Sequence, residues 1–394
     1  MPASEFDSKS KKVVRSLYHG KNSCATISAE VGLSIPSVQK IINALLQKGW
    51  ISESGVGISS GGRKPATYVL NANRLYILCV AMDQFTTRVG LTDLQNNFVT
   101  PVHEFELKLH NNVNATQDLV NGIALYLKLA NIDSHKIIAA GIAMPGFVNE
   151  ADGINYSYLP VDDGHNLKEY LSEKLKMPVF IFNDSNAVAQ AELKFGLGAA
   201  FQEMMVINIG WGIGLGMIIN GKMYNGYSGF AGEFSHIPLV KNGQLCTCGK
   251  HGCLETVASL IAVEERAIKE MREGLYTTSL TALGRKITAQ DILEEAGKGD
   301  RFCIKLIAEA GYHIGEGLAI LLHIMNPQVI VLSGKGAAVG KLWLAPIQQA
   351  INEHSIPRLA SFTEIAISEL GNNAELIGAA SFVMENIHSI TITE

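Results

Sequence analysis

The sequence has no uninterrupted apolar run of the length that a membrane helix requires. The longest candidate, Leu318 to Leu332, is broken by a histidine, an asparagine, a proline and a glutamine, and is shorter than the roughly 20 residues that span a bilayer. It predicts a buried helix followed by a buried strand. Near the N-terminus no basic stretch precedes an apolar segment with a small-residue cleavage site. We therefore expect a cytoplasmic protein without membrane insertion.

Cysteine is also scarce, with six among 394 residues. Cys24, Cys79 and Cys303 are scattered among apolar neighbours, which is typical of small core residues. The other three lie close together, and without a secretion signal a metal explains them better than a disulfide framework. Since 47% of the residues are hydrophobic, the chain can bury the cores of two to four domains.

Charge is unevenly distributed along the chain, whose net charge is −5. Residues 1–74 contain ten Lys or Arg and four Asp or Glu, a net charge of +6, and the remainder carries −11. A basic segment joined to an acidic body suggests a module that binds a polyanion. Chance clustering of surface charge is the alternative.

The basic segment contains three successive helical patterns, at 9–19, 24–31 and 34–48. Gly32 ends the second helix and Ser34 can cap the third, whose first turn holds Pro36, where a missing N–H costs little. Two alternating segments then read as strands joined by a loop with a basic tip. The pattern predicts a winged helix-turn-helix.

The third helix and the wing offer polar side chains that can contact phosphates and base edges in a major groove. The expected DNA-binding residues are Ser37, Gln39, Lys40, Asn43, Arg63 and Lys64. A three-helix packing module that binds no DNA would show the same periodicity, but the wing and the local charge favour DNA. Because one helix reads each half of a palindromic operator, we expect a homodimer or homotetramer.

The body contains a strand-turn-strand unit twice, at 76–93 and at 204–220. Such a duplication, with helices between, predicts two α/β lobes that face one another across a cleft. The second turn, 210–216, is rich in glycine, and backbone N–H groups in such a turn can approach phosphates closely.

A short apolar strand between the repeats runs into Asn183 and Asp184, after which a helix is predicted from Ala187 to Phe195. A carboxylate and amides at such a junction can bind vicinal hydroxyls, and the carboxylate could accept a proton from one of them. An ordinary Asx cap on the helix is the alternative. Upstream, an apolar strand ends in a tight turn at Gly146, which we expect to form a wall of the cleft.

The sharpest pattern in the sequence is a histidine followed by three cysteines, at His236, Cys246, Cys248 and Cys253. Four such ligands within a short glycine-containing loop match a closed tetrahedral zinc site. A zinc with four protein ligands has no open position for a reactive water, so its role is structural. Glu233 and Glu255 flank this loop, and together with the second imidazole nitrogen they could bind sugar hydroxyls. Ordinary surface glutamates are the alternative.

Taken together, these segments resemble the ROK family of bacterial repressors, uncharacterised proteins and sugar kinases. The resemblance runs from about Leu75 to the C-terminus, and a winged helix ahead of it is the arrangement of the family's repressors. It rests on five motifs in order, which are Gly-Ile-Ala-Met-Pro-Gly (141–146), Asn-Asp-Ser-Asn-Ala (183–187), Gly-x-Gly-Ile-Gly-x-Gly (210–216), Ala-Gly-Glu-Phe-Ser-His (231–236) and Cys-x-Cys-Gly-x-x-Gly-Cys-Leu-Glu (246–255).

The resemblance implies a two-lobed α/β fold of the actin-like, hexokinase-like (ribonuclease H-like) type. It also implies that the residue matching Asp184 is the catalytic base in the kinases, and that His236 and the three cysteines hold zinc. The implied sugar-binding residues are Gly146, Asn155, Asn183, Asp184, Glu233, His236 and Glu255, and the implied nucleotide-binding glycines are Gly210, Gly212, Gly214, Gly334 and Gly336.

This chain departs from the family's kinases at the first phosphate loop. They carry an Asp-x-Gly-Gly-Thr pattern where this sequence reads Asp83-Gln84-Phe85-Thr86-Thr87. A Cβ at both former glycine positions obstructs the close approach that a phosphate requires, and Trp211 adds bulk in the second loop. We therefore expect weak or absent use of Mg-ATP.

The resemblance and its departures imply a sugar-responsive repressor of carbohydrate uptake or catabolism genes. An active ATP-dependent sugar kinase with Asp184 as general base is the alternative, and a scaffold for a protein partner is a third possibility. The expected domains are a DNA-binding domain with linker at 1–74, a smaller lobe at 75–185 completed by a helix at 373–388, and a larger lobe at 186–372 that contains the zinc loop 236–253.

Overall fold

A computed structural model describes residues 6–56, 64–161, 164–274 and 276–392. The chain divides into two compact units, Met1–Asn183 with Leu376–Glu394, and Asp184–Glu375. Within the described residues, no helix combines the length and the apolar character needed to cross a membrane. Each unit is built around its own five-stranded sheet.

The first unit begins with three helices and a small antiparallel sheet. Its elements are α1 (Ser8–Tyr18), β1 (Asn22–Ser23), α2 (Cys24–Val31), α3 (Ile35–Gln47), β2 (Ile51–Val56), β3 (Ala66–Leu70), β4 (Tyr76–Met82), β5 (Thr86–Asp93), β6 (His103–Glu106), α4 (Ala115–Ala130), β7 (Ile137–Met144), β8 (Val148–Asn149), β9 (Ile154–Asn155), α5 (Leu167–Leu175) and β10 (Val179–Asn183).

The second unit alternates strands with longer helices. Its elements are α6 (Asp184–Phe195), β11 (Met204–Ile209), β12 (Ile213–Ile219), β13 (Lys222–Met223), α7 (Glu255–Ala258), α8 (Leu260–Arg272), α9 (Ala289–Lys298), α10 (Arg301–Met325), β14 (Val329–Ser333), α11 (Lys341–His354), α12 (Pro357–Ala360), β15 (Glu364–Ile367) and α13 (Ala374–Glu385). Helix α13 begins in this unit and continues in the first.

The helical patterns of the basic segment are confirmed to within about a turn. Helix α2 ends at Gly32, which takes a left-handed conformation with φ 66°, because glycine meets no Cβ clash there. Ser34 occupies the N-cap of α3, but its hydroxyl contacts the Ser37 hydroxyl at 2.9 Å instead of a backbone N–H. The three-stranded sheet has the order β1-β3-β2, so a short strand that the sequence did not predict completes the winged helix-turn-helix.

The two large sheets have the same topology. The first has the order β10-β7-β4-β5-β6 and the second β13-β12-β11-β14-β15. In each, the first two strands in sequence form an antiparallel hairpin, a third strand extends it, and two parallel strands lie on the other side. The duplicated hairpin that the sequence predicted is therefore confirmed, and each copy begins a complete α/β unit.

Buried aliphatic side chains fill the space between each sheet and its helices. In the second unit, the long helix α10 packs against α11, where Gly315 allows close approach because an added Cβ would lie 2.6 Å from the Ile347 carbonyl oxygen. The apolar run at 318–332 forms the end of α10 and strand β14, as expected. These cores fix the strand ends from which the candidate site residues extend.

Candidate functional site

In the first unit, the polar side chains lie at the ends of the neighbouring parallel strands β7 and β10. Asn183 ends β10, and its amide donates to the Gly146 carbonyl at 3.2 Å. Gly146 has φ +94°, and an added Cβ would lie 2.6 Å from Cβ of Ser157, so the turn after β7 requires glycine. The loop therefore holds the Asn183 amide at the carboxyl edge of the sheet.

Asn155 lies in strand β9 and is 8% exposed. Its amide oxygen accepts hydrogen bonds from the backbone N–H groups of Ser157 and Tyr158 at 2.9 and 3.0 Å, and its amide nitrogen donates to the Pro145 carbonyl at 3.0 Å. These bonds use most of the hydrogen-bonding capacity of the amide. Asn155 therefore shapes the loop beside Gly146, and its contact with a sugar stays a prediction.

In the second unit, helix α6 begins directly at Asp184 instead of at Ala187, so the sequence-based helix start is wrong by one turn. One carboxylate oxygen of Asp184 accepts from the backbone N–H of Ser185 at 2.7 Å and from its hydroxyl at 3.2 Å. Burial raises the pKa of Asp184 to about 7, and the nearby charges of Glu375 and Glu255 add to this. The carboxylate therefore lies in a poorly solvated, negatively charged environment.

Glu255 and Glu233 lie in the same unit and have raised pKa values. Burial raises the pKa of Glu255, which accepts a hydrogen bond from the backbone N–H of Ile213 at 3.1 Å and another from the Ser235 hydroxyl. Burial and the charge of Glu255 raise the pKa of Glu233. Several carboxylates held close together can accept hydrogen bonds from several hydroxyls of one ligand, which would also relieve their desolvation.

The predicted metal ligands converge within the second unit. Their four ligand atoms all lie within 4.8 Å of one another, from His236, Cys246, Cys248 and Cys253. Nδ1 of His236 is 3.5 Å from Sγ of Cys246, and Sγ of Cys248 is 3.6 Å from Sγ of Cys253. Zn–S bonds of about 2.3 Å and Zn–N bonds of about 2.0 Å would separate two tetrahedral ligand atoms by about 3.5–3.8 Å. The donor set and its spacing therefore fit a zinc ion.

The loop that carries these ligands is folded by its own glycines. Gly252 has φ +75°, and an added Cβ would lie 1.9 Å from the Val240 carbonyl oxygen. With Nδ1 of His236 facing the sulfurs, its Nε2 lies 3.8 Å from a carboxylate oxygen of Glu233. Burial lowers the pKa of His236, with the positive charge of Lys250 as a second cause, so the neutral imidazole that binds metals is favoured.

In the first phosphate loop, the backbone N–H groups are hydrogen-bonded to the loop's own aspartate. A carboxylate oxygen of Asp83 accepts from the backbone N–H groups of Phe85 and Thr86 at 2.8 and 2.7 Å, and the other accepts from the Thr86 hydroxyl at 3.0 Å. Donors of this kind are the ones that a bound phosphate would use. The kinases have an aspartate at this position as well, so the bulk of Phe85 and Thr86 is what sets this loop apart, and weak or absent use of Mg-ATP stays a prediction.

The glycines retained around the second phosphate loop serve the packing of the unit itself. A Cβ on Gly214 would lie 1.7 Å from the Ser185 hydroxyl, one on Gly212 would lie 2.9 Å from the Glu255 carboxylate, and one on Gly334 would lie 2.2 Å from the Asn208 amide. Gly336 is similarly packed against Ile209, and the N–H of Gly210 donates to the Gly212 carbonyl at 2.9 Å. Packing alone therefore accounts for glycine at 214, 334 and 336, whereas a Cβ on Gly210 would meet only an ordinary contact at 3.8 Å.

In the basic segment, the exposed face of α3 presents Gln39, Lys40 and Asn43. Nε2 of Gln39 donates to Oδ1 of Asn43 at 3.0 Å, and the thiol of Cys24 donates to Oε1 of Gln39 at 3.3 Å. Ser37 is half-buried near the start of the helix, and Lys64 is exposed before β3. Arg63, the other predicted wing residue, lies outside the described residues.

The chain matches the model of the ROK family over residues 79–386. It belongs to the ROK family. It is 31% identical over 371 residues to the xylose repressor of Bacillus spizizenii, an alignment that covers 93% of this chain and 92% of that repressor. The glucokinase of Halalkalibacterium halodurans is 34% identical, but the alignment covers only 64% of this chain and 78% of that enzyme. The alignment with the repressor therefore includes much of the N-terminal segment.

Among solved structures, a ROK family transcriptional regulator, a homologue of the E. coli MLC protein, superposes with a TM-score of 0.76 at 24% identity and covers 96% of each chain. At this level of sequence identity, the superposition shows that the two proteins share a fold. Together with the duplicated sheets, it confirms the expected fold class, a winged helix-turn-helix followed by an actin-like, hexokinase-like α/β body.

Three side chains that contact or influence the predicted sugar-binding carboxylates were not identified from the sequence. Ser185 and Ser235 hydrogen-bond to Asp184 and Glu255, and both lie within motifs that the sequence did single out. Glu375, whose charge acts on Asp184, is far away in sequence and has no motif around it. Its proximity to Asp184 is apparent only in the folded structure.

Proposed function

We propose that this ROK protein is a sugar-responsive transcriptional repressor of carbohydrate uptake or catabolism genes. The xylose repressor, to which the chain is similar, is also named for a sugar. Residues 1–74 would bind operator DNA as a homodimer or homotetramer, and the body, with the lobes assigned from the sequence, would bind a monosaccharide. The observation that carries this proposal is the replacement of both glycines of the first phosphate loop by Phe85 and Thr86, while the carboxylates suited to sugar hydroxyls are kept.

Sugar recognition would use the groups described above. In the first unit the Asn183 amide, and in the second unit the carboxylates of Asp184, Glu233 and Glu255 with Nε2 of His236, are groups that can donate to or accept from hydroxyl groups. Zinc would hold the loop that positions Glu233 and His236, in the manner of a closed structural site. Sugar would change DNA affinity only to the extent that it binds two states of the protein differently.

Substitutions on α3 test the DNA-binding part of this proposal. Gln39→Ala is expected to reduce discrimination between the operator and unrelated DNA by about 10- to 100-fold, since a bidentate base contact is worth about 1–3 kcal/mol. Lys40→Ala is expected to weaken binding to every sequence and to lower the slope of log Kd against log salt by about 1. Fluorescence anisotropy with the promoter fragment upstream of the gene measures both.

Lys298→Ala, which removes a lysine from the end of α9, is the matched control for Lys40→Ala. Its binding curves should overlie those of the wild type at every salt concentration. An unaltered salt slope in Lys40→Ala, together with unaltered discrimination in Gln39→Ala, would contradict DNA recognition by α3.

One observation favours an active sugar kinase as a second candidate function. The pKa of Asp184, raised to about 7, suits a general base that accepts a proton near neutral pH. We nevertheless expect no ATP consumption above background in a coupled assay with hexoses, amino sugars and pentoses, because Phe85 and Thr86 replace the two glycines that let a phosphate approach the loop. Turnover that disappears in Asp184→Asn would establish the kinase instead.

A further inference from the structure

Helix α1 carries three basic side chains on one face. Lys11, Arg15 and His19 are spaced four residues apart, so they form a single stripe along the helix. All three point to the C-terminal segment, which we define as residues 385–392. Nη1 of Arg15 and Nε2 of His19 lie 3.5 and 3.1 Å from the two carboxylate oxygens of Glu385.

The stripe also contacts the backbone beyond α13. Nζ of Lys11 donates to the Ile390 carbonyl at 2.7 Å and to the His388 carbonyl at 3.4 Å. The His388 carbonyl lies within a short 3-10 helix at Ile387–Ser389 and Ile390 is the C-cap residue of that helix, where a cation is the favoured partner of the carbonyl groups. The N-terminal helix and the C-terminal segment, far apart in sequence, are therefore joined by polar contacts along the whole stripe.

A second set of contacts fixes the same helix to the hairpin between β5 and β6. Tyr18 is 3% exposed, and its hydroxyl hydrogen-bonds to the Asn96 side chain. The Gln95 amide donates to the Leu70 carbonyl at 2.7 Å, so the end of the wing is held as well. Helix α1 therefore contacts both the C-terminal segment and the loop after β5.

Helix α13 also packs against β10, which ends at Asn183, and against β7, which leads to the turn at Gly146. The ring of Phe382 in α13 stacks on Phe182 at 4.2 Å between centroids and 14° between planes, and Phe182 directly precedes Asn183. Gly141 in β7 lies against the same helix, because an added Cβ would be 2.4 Å from the Ala379 carbonyl oxygen. Helix α13 thus packs on the strands that position candidate sugar ligands, and Glu385, its last residue, holds α1.

We propose that Glu385 is the positioning residue through which the sugar-binding strands act on the DNA-binding domain. A shift of β10 on sugar binding would move α13 through the Phe182–Phe382 stack, and the pairs of Glu385 with Arg15 and His19 would transfer that movement to α1. Because Arg15 is 34% and Glu385 28% exposed, the pairs set an orientation more than they stabilise the fold. This inference rests on the proposed function.

The first test measures the contact without DNA or sugar. In the full-length protein, Glu385→Gln is expected to speed amide hydrogen exchange in α1 and in residues 386–392 by about two- to tenfold, since the carboxylate that contacts both Arg15 and His19 is lost. Lys12→Gln is the matched control, because Lys12 is exposed on the same helix. Arg15→Gln in the Glu385→Gln background should add little. Exchange equal to that of the control would overturn the inference.

The second test measures transmission to DNA. For the wild type, a thermal-shift screen of monosaccharides identifies the sugar that binds, and anisotropy gives the ratio of DNA affinities with and without it. Glu385→Gln should reduce this ratio towards 1 while sugar affinity changes less than twofold, whereas Lys12→Gln should retain the full ratio. An unchanged ratio in Glu385→Gln would overturn transmission through this residue. A wild type that binds no operator or responds to no sugar would instead contradict the proposed function, and the exchange test would still decide whether the contact exists.

Discussion

Replacing Cys253 with serine is expected to abolish metal binding and to lower the melting temperature by about 10 °C or more, since a structural zinc contributes much of the folding energy of its loop. Cys253 is fully buried between Cys248 and the backbone carbonyl of His236. Elemental analysis of the purified protein should give one zinc per chain in the wild type and none in the variant, and differential scanning fluorimetry measures the stability.

Cys24→Ser provides the control, because Cys24 is a partly buried cysteine outside the cluster. It should retain one zinc per chain. A strong chelator should lower the melting temperature of the wild type and of Cys24→Ser, but should not lower that of Cys253→Ser further. A chelator without effect on the wild type would contradict a structural metal at this loop.

Asp184→Asn is expected to weaken sugar binding by about 10- to 100-fold, because a hydrogen bond to a charged group is worth about 1.5–3 kcal/mol. The same substitution should raise the melting temperature at pH 8 by about 2 °C or more, since a poorly solvated charge is removed. Isothermal titration with the sugar found by thermal shift measures the first effect, and calorimetry measures the second. Gain of stability with loss of binding is typical of a functional residue.

The stability effect of Asp184 should depend on pH in one direction. Its ordinary pKa is 3.8, and burial raises it to about 7 in the folded protein. The charged form is therefore disfavoured on folding, and the wild type loses stability as the pH rises from about 4 to 7. The melting temperature of Asp184→Asn should exceed that of the wild type by more at pH 8 than at pH 5. Glu265→Gln, at an exposed carboxylate of the same unit, should show no such trend.

Local patterns in the sequence predicted most of the architecture. The spacing of apolar residues identified α1 to α3, the wing strands and both hairpins, because amphipathic periodicity depends only on neighbours in sequence. Strand β1 was missed, since two residues carry no period. The start of α6 was also misplaced, because Asn183 and Asp184 resemble a cap although Asp184 already lies in the helix.

The candidate site was predictable only where a motif carried it. The four candidate metal ligands follow from their spacing, whereas the hydrogen bonds from the phosphate loop to Asp83 required the backbone conformation of the loop. Obstruction by Phe85 was expected from the sequence, but these hydrogen bonds were not. The influence of Glu375 on Asp184 and the pairing of Glu385 with Arg15 depend on long-range folding, which no local pattern reports.

The side chains of Phe85 and Thr86 in the phosphate loop determine what the proposed regulator can report about its sugar. An enzyme that phosphorylates its sugar depletes it, so its occupancy depends on flux and on the supply of ATP. A protein whose loop is obstructed by its own side chains releases the sugar unchanged. Its occupancy then follows the free concentration alone, as a reversible binding curve. Such a protein reports the level of a nutrient without consuming it.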